Sequence, residues 1–325
     1  MRFSRLGGTS LQVSVLGFGA STLGNEFGAI DPAEGQRAVD AAIDHGINLF
    51  DVAPYYGRTL AEERLGRFLQ GKRHRVVLAT KVGRYDRDPP AGFDFSAARV
   101  IRSVEESLRR LRTDVIDLYL AHDIEYAPPR VVVEETLPAM RALQQQGKVR
   151  YIGVTGYPLD VLQDVAVEGD VDVVLSYCHY SLLNTRLACE LAPAVRGRGL
   201  GLINASPLHM GVLTAHGPPS WHPAPRAMLA AAREAAAWCA ANGADIADVA
   251  LRFALADAPV DSTLVGLCTR SEVLAGVRAL EGAPDARALA GVQALLSSAQ
   301  DIDWPSGLTE AEGRPNERAE PVGGS

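Results

Sequence analysis

Residues 50–57 have the sequence Phe50-Asp51-Val52-Ala53-Pro54-Tyr55-Tyr56-Gly57, and this stretch decides the fold. It follows the apolar residues 46–50, which predict a short buried strand, so that Asp51 falls where the strand ends. Two later apolar segments end in the same way, one with Lys81 and one with His122. The sequence therefore predicts a sheet whose strands deliver ionisable side chains at the same end.

Outward from this stretch, apolar segments alternate with helical patterns. Eight segments predict strands that begin near residues 16, 47, 76, 115, 149, 171, 200 and 263, and helical patterns follow most of them. Their continuous apolar character is typical of parallel strands that are covered on both faces. Eight strand–helix units in about 300 residues predict an α/β fold, a (β/α)8 TIM barrel, rather than an open doubly wound sheet.

The two ends of the chain add to this barrel. Residues 11–15 alternate between apolar and polar types, which predicts a short N-terminal β-hairpin that closes one end of the barrel. Extra C-terminal helices are predicted over 270–280 and 285–299. No linker rich in Pro, Gly or Ser divides residues 1–311, so we expect one domain there. Residues 312–325 are polar and rich in Gly and Pro, and predict a flexible tail.

The composition excludes several classes of protein. Hydrophobic residues make up 47% of the 325 residues, and the formal net charge is −7 without a dense basic block. We therefore expect a soluble cytoplasmic protein with no nucleic-acid or membrane partner. The sequence is compatible with a monomer or a modest homodimer. The four cysteines are scattered without a C-x-x-C pair, which predicts buried thiols rather than disulfides or a zinc site. They are Cys178, Cys189, Cys239 and Cys268.

The strand-end residues have a chemistry in common. In a (β/α)8 barrel the carboxyl ends of the strands meet at one mouth, so we expect Asp51, Lys81 and His122 to converge there with Tyr56. A nearby ammonium group favours phenolate, and we expect Lys81 to lower the pKa of Tyr56 while Asp51 holds Lys81 in place. His122 would orient a substrate oxygen. Such a tyrosine exchanges a proton with an alcohol or carbonyl while a nicotinamide exchanges hydride with the same carbon.

The pattern Asp51-x-Ala53-x-x-Tyr56-Gly57, followed by Lys81 and His122, resembles the aldo-keto reductase superfamily over essentially the whole barrel. Segments 176–180, 205–211, 217–223 and 304–307 resemble its aldose 1-dehydrogenase branch. The resemblance implies Asp51, Tyr56, Lys81 and His122 as catalytic residues, here called the tetrad, with Tyr56 as the acid/base. It also implies an extended nicotinamide dinucleotide across the barrel mouth.

The resemblance further implies a set of cofactor-binding residues. These are Thr155, Gly156, Ser176, Ser206, Leu208, Gly211, Gly266, Arg270, Glu272 and Gly276. Gly266 and Glu272 stand where relatives that prefer NADP carry basic residues. A carboxylate near the ribose repels a 2′-phosphate and accepts a hydrogen bond from a free hydroxyl, so NAD is expected over NADP. Arg270 lies close by and could bind the phosphate instead.

The branch also implies a substrate, a small sugar whose anomeric carbon is oxidised to a lactone, of the L-fucose, L-galactose or D-arabinose type. Predicted walls of its pocket are Tyr55, Asp123, Trp221, His222 and Trp304. Pyridoxal oxidation and general aldehyde or ketone reduction are the alternative activities. A non-catalytic redox-sensing subunit is a third possibility, which the complete tetrad disfavours. No metal site is expected, because His179 and Cys178 lack a second ligand pair.

Overall fold

The chain forms a closed barrel of eight parallel strands in a computed structural model that describes residues 1–89, 91–256 and 258–308. A separate antiparallel hairpin comes first, β1 (Phe3–Arg5) with β2 (Gln12–Ser14). The barrel strands are β3 (Leu16–Gly19), β4 (Leu49–Asp51), β5 (Val77–Val82), β6 (Ile116–His122), β7 (Val149–Gly156), β8 (Val173–Tyr177), β9 (Gly201–Ala205) and β10 (Ser262–Gly266). Each strand pairs with the next, and β10 returns to β3. The predicted (β/α)8 barrel is confirmed.

Helices surround this barrel at nearly the predicted positions. Those in the described residues are Pro32–Asp44, Leu60–Phe68, Ala97–Leu111, Pro129–Val131, Leu137–Gln145, Leu159–Glu168, Ala192–Gly197, Arg226–Ala241, Ile246–Ala256, Arg270–Ala279 and Ala286–Leu296. Side-chain caps fix the first turns of several of these helices. The Asp31 side chain accepts a hydrogen bond from the Ala33 amide with Pro32 in the first turn, and Ser96 caps the Arg99 amide. The predicted C-terminal helices are present.

Two helices contain a π-helical segment that the sequence reasoning did not foresee. The segments are Val132–Thr136 and Leu187–Leu191, and each runs directly into an α-helix with proline in its first turn, at Pro138 and Pro193. Proline has no amide hydrogen to donate four residues back, so the hydrogen-bond ladder is interrupted at this point. A wider turn just before each proline accommodates the interruption without ending the helix.

The N-terminal hairpin seals one end of the barrel, as predicted. Leu6, Leu11 and Val13 are buried in the same cluster as Leu49 and Leu118, which lie on barrel strands. Backbone contacts hold the hairpin in place, because the Gly8 amide donates to the carbonyl oxygen of Gly199 at 2.7 Å. Burial of these leucines removes apolar surface from water and makes the sealed end part of the core.

The remaining fold predictions have mixed outcomes. The tail predicted over 312–325 lies outside the described residues. Cys178 and Cys239 are buried, but the expectation of a buried thiol is wrong for Cys189, which is exposed on the outer side of its helix. No helix within the described ranges is long and apolar enough to cross a membrane. In the same residues, no group of three or more His, Cys, Asp or Glu side chains has metal-binding geometry.

Candidate active site

The tetrad converges at the carboxyl ends of β4, β5 and β6. Lys81 is central: its Nζ lies 2.5 Å from Asp51 Oδ1, 3.0 Å from the carbonyl oxygen of Val52 and 3.3 Å from the Tyr56 hydroxyl. The Tyr56 and His122 rings meet edge to face with centroids 5.7 Å apart. Asp51, Lys81 and His122 are each at most 5% exposed. Three adjacent strands thus bring together side chains far apart in sequence.

Burial dominates the electrostatics of this cluster. It raises the pKa of Asp51 even though the Lys81 ammonium group pulls in the other direction. It also lowers the pKa of His122 to about 3, with the Asp123 charge opposing and the Lys81 and Arg84 charges assisting. At neutral pH the His122 ring is therefore uncharged, which suits a hydrogen-bonding group that orients a substrate oxygen without transferring its own proton.

Tyr56 departs from the sequence-based expectation. Burial raises its pKa well above the ordinary value of 10, and the charges of Asp51 and Asp123 raise it further. The expected lowering by Lys81 does not prevail, because the Lys81 charge is shared with Asp51 at 2.5 Å and desolvation penalises the phenolate. Tyr56 in this protein is thus a neutral phenol, and it needs a further positive charge nearby to act as a base.

The tetrad opens into a cavity of about 350 Å³, a volume within the usual range of small-molecule sites. Four of the five predicted substrate-pocket residues line it, namely Tyr55, Asp123, Trp221 and Trp304. His222 does not. Its Nε2 lies 3.1 Å from the carbonyl oxygen of His209, and its Nδ1 accepts a hydrogen bond from the Ala224 amide. Both ring nitrogens of His222 are thus used within its own loop. The His222 ring also packs edge to face against Trp304.

A second ionic contact lies beside the tetrad. Arg84 donates to Asp123 from Nη1, and its guanidinium carbon lies 3.9 Å from the centroid of the Tyr55 ring. Asp123 is 1% exposed and has a left-handed backbone, with φ at 54°. Non-glycine residues in this conformation are strained and cluster at functional sites. Arg84, absent from the sequence-based site, is thus fixed by a charge and by an aromatic face.

Residues 303–308, here called the C-terminal strap, form part of the cavity wall. Asp303 anchors one end of the strap, because its Oδ1 accepts from Asn184 Nδ2 at 3.0 Å and from the Tyr157 hydroxyl at 3.3 Å. Trp304 then stacks on Tyr157 with ring centroids 4.5 Å apart. At the other end, Ser306 Oγ donates to Glu125 at 2.9 Å. The strap thus presents Trp304 and Ser306 to the cavity in fixed positions.

The predicted cofactor residues divide into two groups. Thr155 and Ser206 line the cavity beside the tetrad, and Ser206 has a left-handed backbone with φ at 58°. Ser176 is fully buried, and its Oγ lies 3.1 Å from His179 Nδ1, so a neighbour already holds it. Gly156 ends β7 beside Thr155. Leu208 and Gly211 belong to the loop that follows β9, where Gly211 has φ at 99°.

The second group lies at the end of β10 and in the next helix. Gly266 is exposed, and the Arg270 amide donates to Glu34 Oε1 at 2.9 Å. Glu272 has a structural task, since its Oε2 accepts from the amides of Cys268 and Thr269 in a capping box. Gly276 is buried against the barrel, where an added Cβ would lie 3.1 Å from Leu16 Cδ2. Its position is that of a packing residue.

Several cavity-lining residues were not assigned to the site from the sequence. They are Ser21, Glu26, Phe27, Arg84, Arg87, Tyr126, Leu175, Tyr177, Ala205, Met210, Pro223, Pro305 and Ser306. Tyr177 could have been found, because it ends β8 as Asp51 ends β4. Arg84 and Arg87 lie on the loop after β5, where no periodic pattern distinguishes a lining residue from a solvated one.

A closed barrel with ionisable side chains gathered at the carboxyl ends of its strands is typical of enzymes. Residues 15–296 match the profile of the Aldo/keto reductase family. The chain belongs to this family and is an oxidoreductase. Membership implies a nicotinamide cofactor.

Named relatives cover most of the chain. L-galactose dehydrogenase from Arabidopsis thaliana is 44% identical over 93% of this chain and 97% of its own length. D-threo-aldose 1-dehydrogenase from Pseudomonas sp is 31% identical over 79% of this chain and 86% of its own. Among solved structures, an aldo-keto reductase from Bacillus halodurans in its holo form superposes with a TM-score of 0.73. It is 29% identical and covers 91% of this chain and 96% of that one. The chain is thus similar to two sugar dehydrogenases over most of its length.

Proposed function

We propose that this protein oxidises the anomeric carbon of an aldose of the L-galactose, L-fucose or D-arabinose type to the lactone, with a nicotinamide dinucleotide as hydride acceptor. The observation that carries the proposal is the contact set around Lys81, which joins Asp51 at 2.5 Å to the Tyr56 hydroxyl at 3.3 Å inside a cavity lined by Trp304. The similarity to two aldose dehydrogenases supports the choice of substrate.

The cavity suits such a cofactor on one side and a sugar on the other. Thr155 and Ser206 offer hydroxyl groups for polar contacts, and the strained backbone of Ser206 is typical of a loop that approaches a ligand closely. These residues would hold a nicotinamide, which would supply the hydride acceptor and a positive charge that favours the phenolate form of Tyr56. The aromatic faces of Trp221 and Trp304 suit the apolar face of a pyranose ring.

Each member of the tetrad then has a separate task. Tyr56 takes the proton of the anomeric hydroxyl group as that oxygen forms its double bond to carbon. Lys81 holds the phenol oxygen by a hydrogen bond and compensates its negative charge, and Asp51 holds Lys81 in position. Neutral His122 orients the hydroxyl oxygen. Because phenolate is the base, the rate of oxidation is expected to rise with pH.

We further propose that NAD is preferred over NADP. Two carboxylates support this preference, Glu272 in its capping box and Glu34, whose Oε1 accepts from the Arg270 amide at 2.9 Å. A 2′-phosphate beside the first turn of the helix Arg270–Ala279 would face the negative charges of both Glu272 and Glu34. The Arg270 side chain is the competing feature, because a guanidinium group binds phosphate well.

The test is a steady-state assay of nicotinamide reduction with purified protein, a panel of aldoses and pyridoxal, and NAD compared with NADP. Tyr56→Phe is expected to lower kcat by about 10²- to 10⁴-fold without loss of fold. Tyr151→Phe is the matched control, because its hydroxyl contacts Ser10 at the sealed end of the barrel. Turnover of pyridoxal alone, or equal activity of both tyrosine variants, would refute the proposed reaction. A higher kcat/KM with NADP would refute the NAD preference.

A further inference from the structure

The cavity is electrically balanced. Within the described residues, each Lys or Arg side chain that lines it contacts an acid that lines it too. The three pairs are Lys81–Asp51, Arg84–Asp123 and Arg87–Glu26. His122 adds no charge at neutral pH, because burial holds its pKa at about 3. A bound molecule therefore meets three cations whose charge is already compensated.

The three pairs differ in depth. Lys81 and Asp51 have side chains 2% and 7% exposed and contact Tyr56, so they belong to the tetrad. Arg87 is 51% exposed at the mouth, where water and salt screen its charge. The Arg84–Asp123 pair lies between these extremes, with side chains 19% and 2% exposed. It is the buried pair outside the tetrad, and a substrate in the cavity would lie against it.

Arg84 has hydrogen-bonding capacity left over. Its Nη1 donates to Asp123 Oδ2, while Nε and Asp123 Oδ1 are both buried without a partner. Among the described residues, Nη2 makes no hydrogen bond, and the side chain lines the cavity. The guanidinium plane cannot turn freely, because the Tyr55 ring lies 3.9 Å away and the Phe93 ring 5.4 Å away. Arg84 thus offers a fixed hydrogen-bond donor whose charge is compensated by Asp123.

We propose that this cavity selects uncharged aldoses and rejects carboxylated and phosphorylated ones, with Arg84 as the residue that contacts the substrate and Asp123 as the counter-charge that sets the selection. The inference rests on the proposed aldose oxidation. A hydroxyl group accepts a hydrogen bond from Arg84 at little cost. A carboxylate or phosphate would lose its hydration and gain no unpaired side-chain cation in return, while it lay close to Asp123.

The Asp123→Asn variant tests the role of Asp123 as the counter-charge of Arg84. Asparagine has nearly the shape of aspartate and tolerates the left-handed backbone at φ 54°. The variant removes one negative charge and leaves the Arg84 guanidinium uncompensated. Glu26→Gln is the matched control: it makes the same acid-to-amide change in the same cavity and keeps an acceptor for the Gly57 amide, which now donates to Glu26 at 2.8 Å. The cation that it releases, Arg87, is half exposed.

The experiment compares kcat/KM for neutral aldoses with that for a hexuronic acid and an aldose 6-phosphate, in the wild type and both variants. The wild type is expected to prefer the neutral sugars by about tenfold or more. Asp123→Asn is expected to reduce this ratio by about tenfold, with the effect shrinking at high salt, and Glu26→Gln by less than about threefold. Both substrates are compared in one preparation, so partial unfolding of a variant cancels from the ratio.

The outcomes separate the two proposals. Comparable kcat/KM for neutral and charged sugars in the wild type would overturn the selection while leaving the aldose dehydrogenase intact. An unchanged ratio in Asp123→Asn, or an equal change in Glu26→Gln, would overturn the role of the Arg84–Asp123 pair. Failure of the wild type to oxidise any of the sugars would instead overturn the proposed function on which the inference rests.

Discussion

Glu125 provides the most demanding test of the electrostatic reasoning. It is 3% exposed beneath the C-terminal strap, and burial together with the charge of Asp123 raises its pKa from 4.5 to about 8. Its Oε1 accepts from Ser306 and from the Tyr157 amide, while its Oε2 is buried without a partner. We predict that Glu125→Gln stabilises the protein at pH 8 and not at pH 4.

The sign follows from proton binding. Between pH 4.5 and about 8 the unfolded chain has lost this proton while the folded protein keeps it, so the wild type loses stability as pH rises through that window. Glutamine cannot ionise, and it retains an acceptor for both hydrogen bonds. The difference between 4.5 and about 8, at about 1.36 kcal/mol per pH unit, corresponds to about 5 kcal/mol in the free energy of unfolding, fully developed above pH 8.

The assay is urea denaturation of the wild type and Glu125→Gln at intervals from pH 4 to pH 9. Glu134→Gln is the control, since the Glu134 side chain is 62% exposed and pairs with Arg130 on the surface. We expect less than about 1 kcal/mol there at every pH. Parallel curves for the wild type and Glu125→Gln across the window would refute a protonated Glu125 in the folded protein.

Two further predictions concern other parts of the molecule. Because the pKa of His122 is about 3, kcat/KM for the proposed oxidation should show no inflection near pH 6.5; an inflection there that disappears in His122→Gln would contradict a permanently neutral imidazole. Gly153→Ala should destabilise the barrel by about 3 kcal/mol, because the new Cβ would lie 2.2 Å from the carbonyl oxygen of Val173. At Gly197 an added Cβ would meet no atom of the described residues within 4 Å, apart from its chain neighbours and the backbone of its own helix, so Gly197→Ala should cost less than about 1 kcal/mol in the same denaturation experiment.

The sequence predicts the barrel well because each strand carries its own local evidence. Eight apolar segments flanked by helical patterns suffice to place eight strands. Their ends are less accurate: β5 continues to Val82, one residue beyond Lys81, where the sequence predicts its end. Polar side chains end the hydrophobic pattern, but their backbone still pairs, as Lys81 does opposite Leu120. The sequence therefore predicts which ionisable residues lie near the ends of the strands, but not the residue at which each strand ends.

The unpredicted parts of the site depend on contacts between distant residues. Arg84 and Asp123 are 39 positions apart, and Asn184 and Asp303 are 119 apart. No periodic pattern links such pairs, because each partner lies on a loop. The rise in the pKa of Tyr56 could not be predicted for a related reason. The cost of desolvation depends on how deeply the side chain is buried, whereas the sequence indicates only that a Lys81 charge is nearby.

The sealed end of the barrel also constrains the order of events during turnover. The hairpin covers the amino ends of the strands, and the cavity formed by the described residues lies at their carboxyl ends. In the proposed reaction, the nicotinamide and the sugar would both have to enter this cavity of about 350 Å³ from that end. The molecule that binds deeper in the cavity would then bind first and be released last. Ordered binding and release of cofactor and sugar would then be a consequence of the buried hairpin leucines, Leu6 and Leu11, at the opposite end of the barrel.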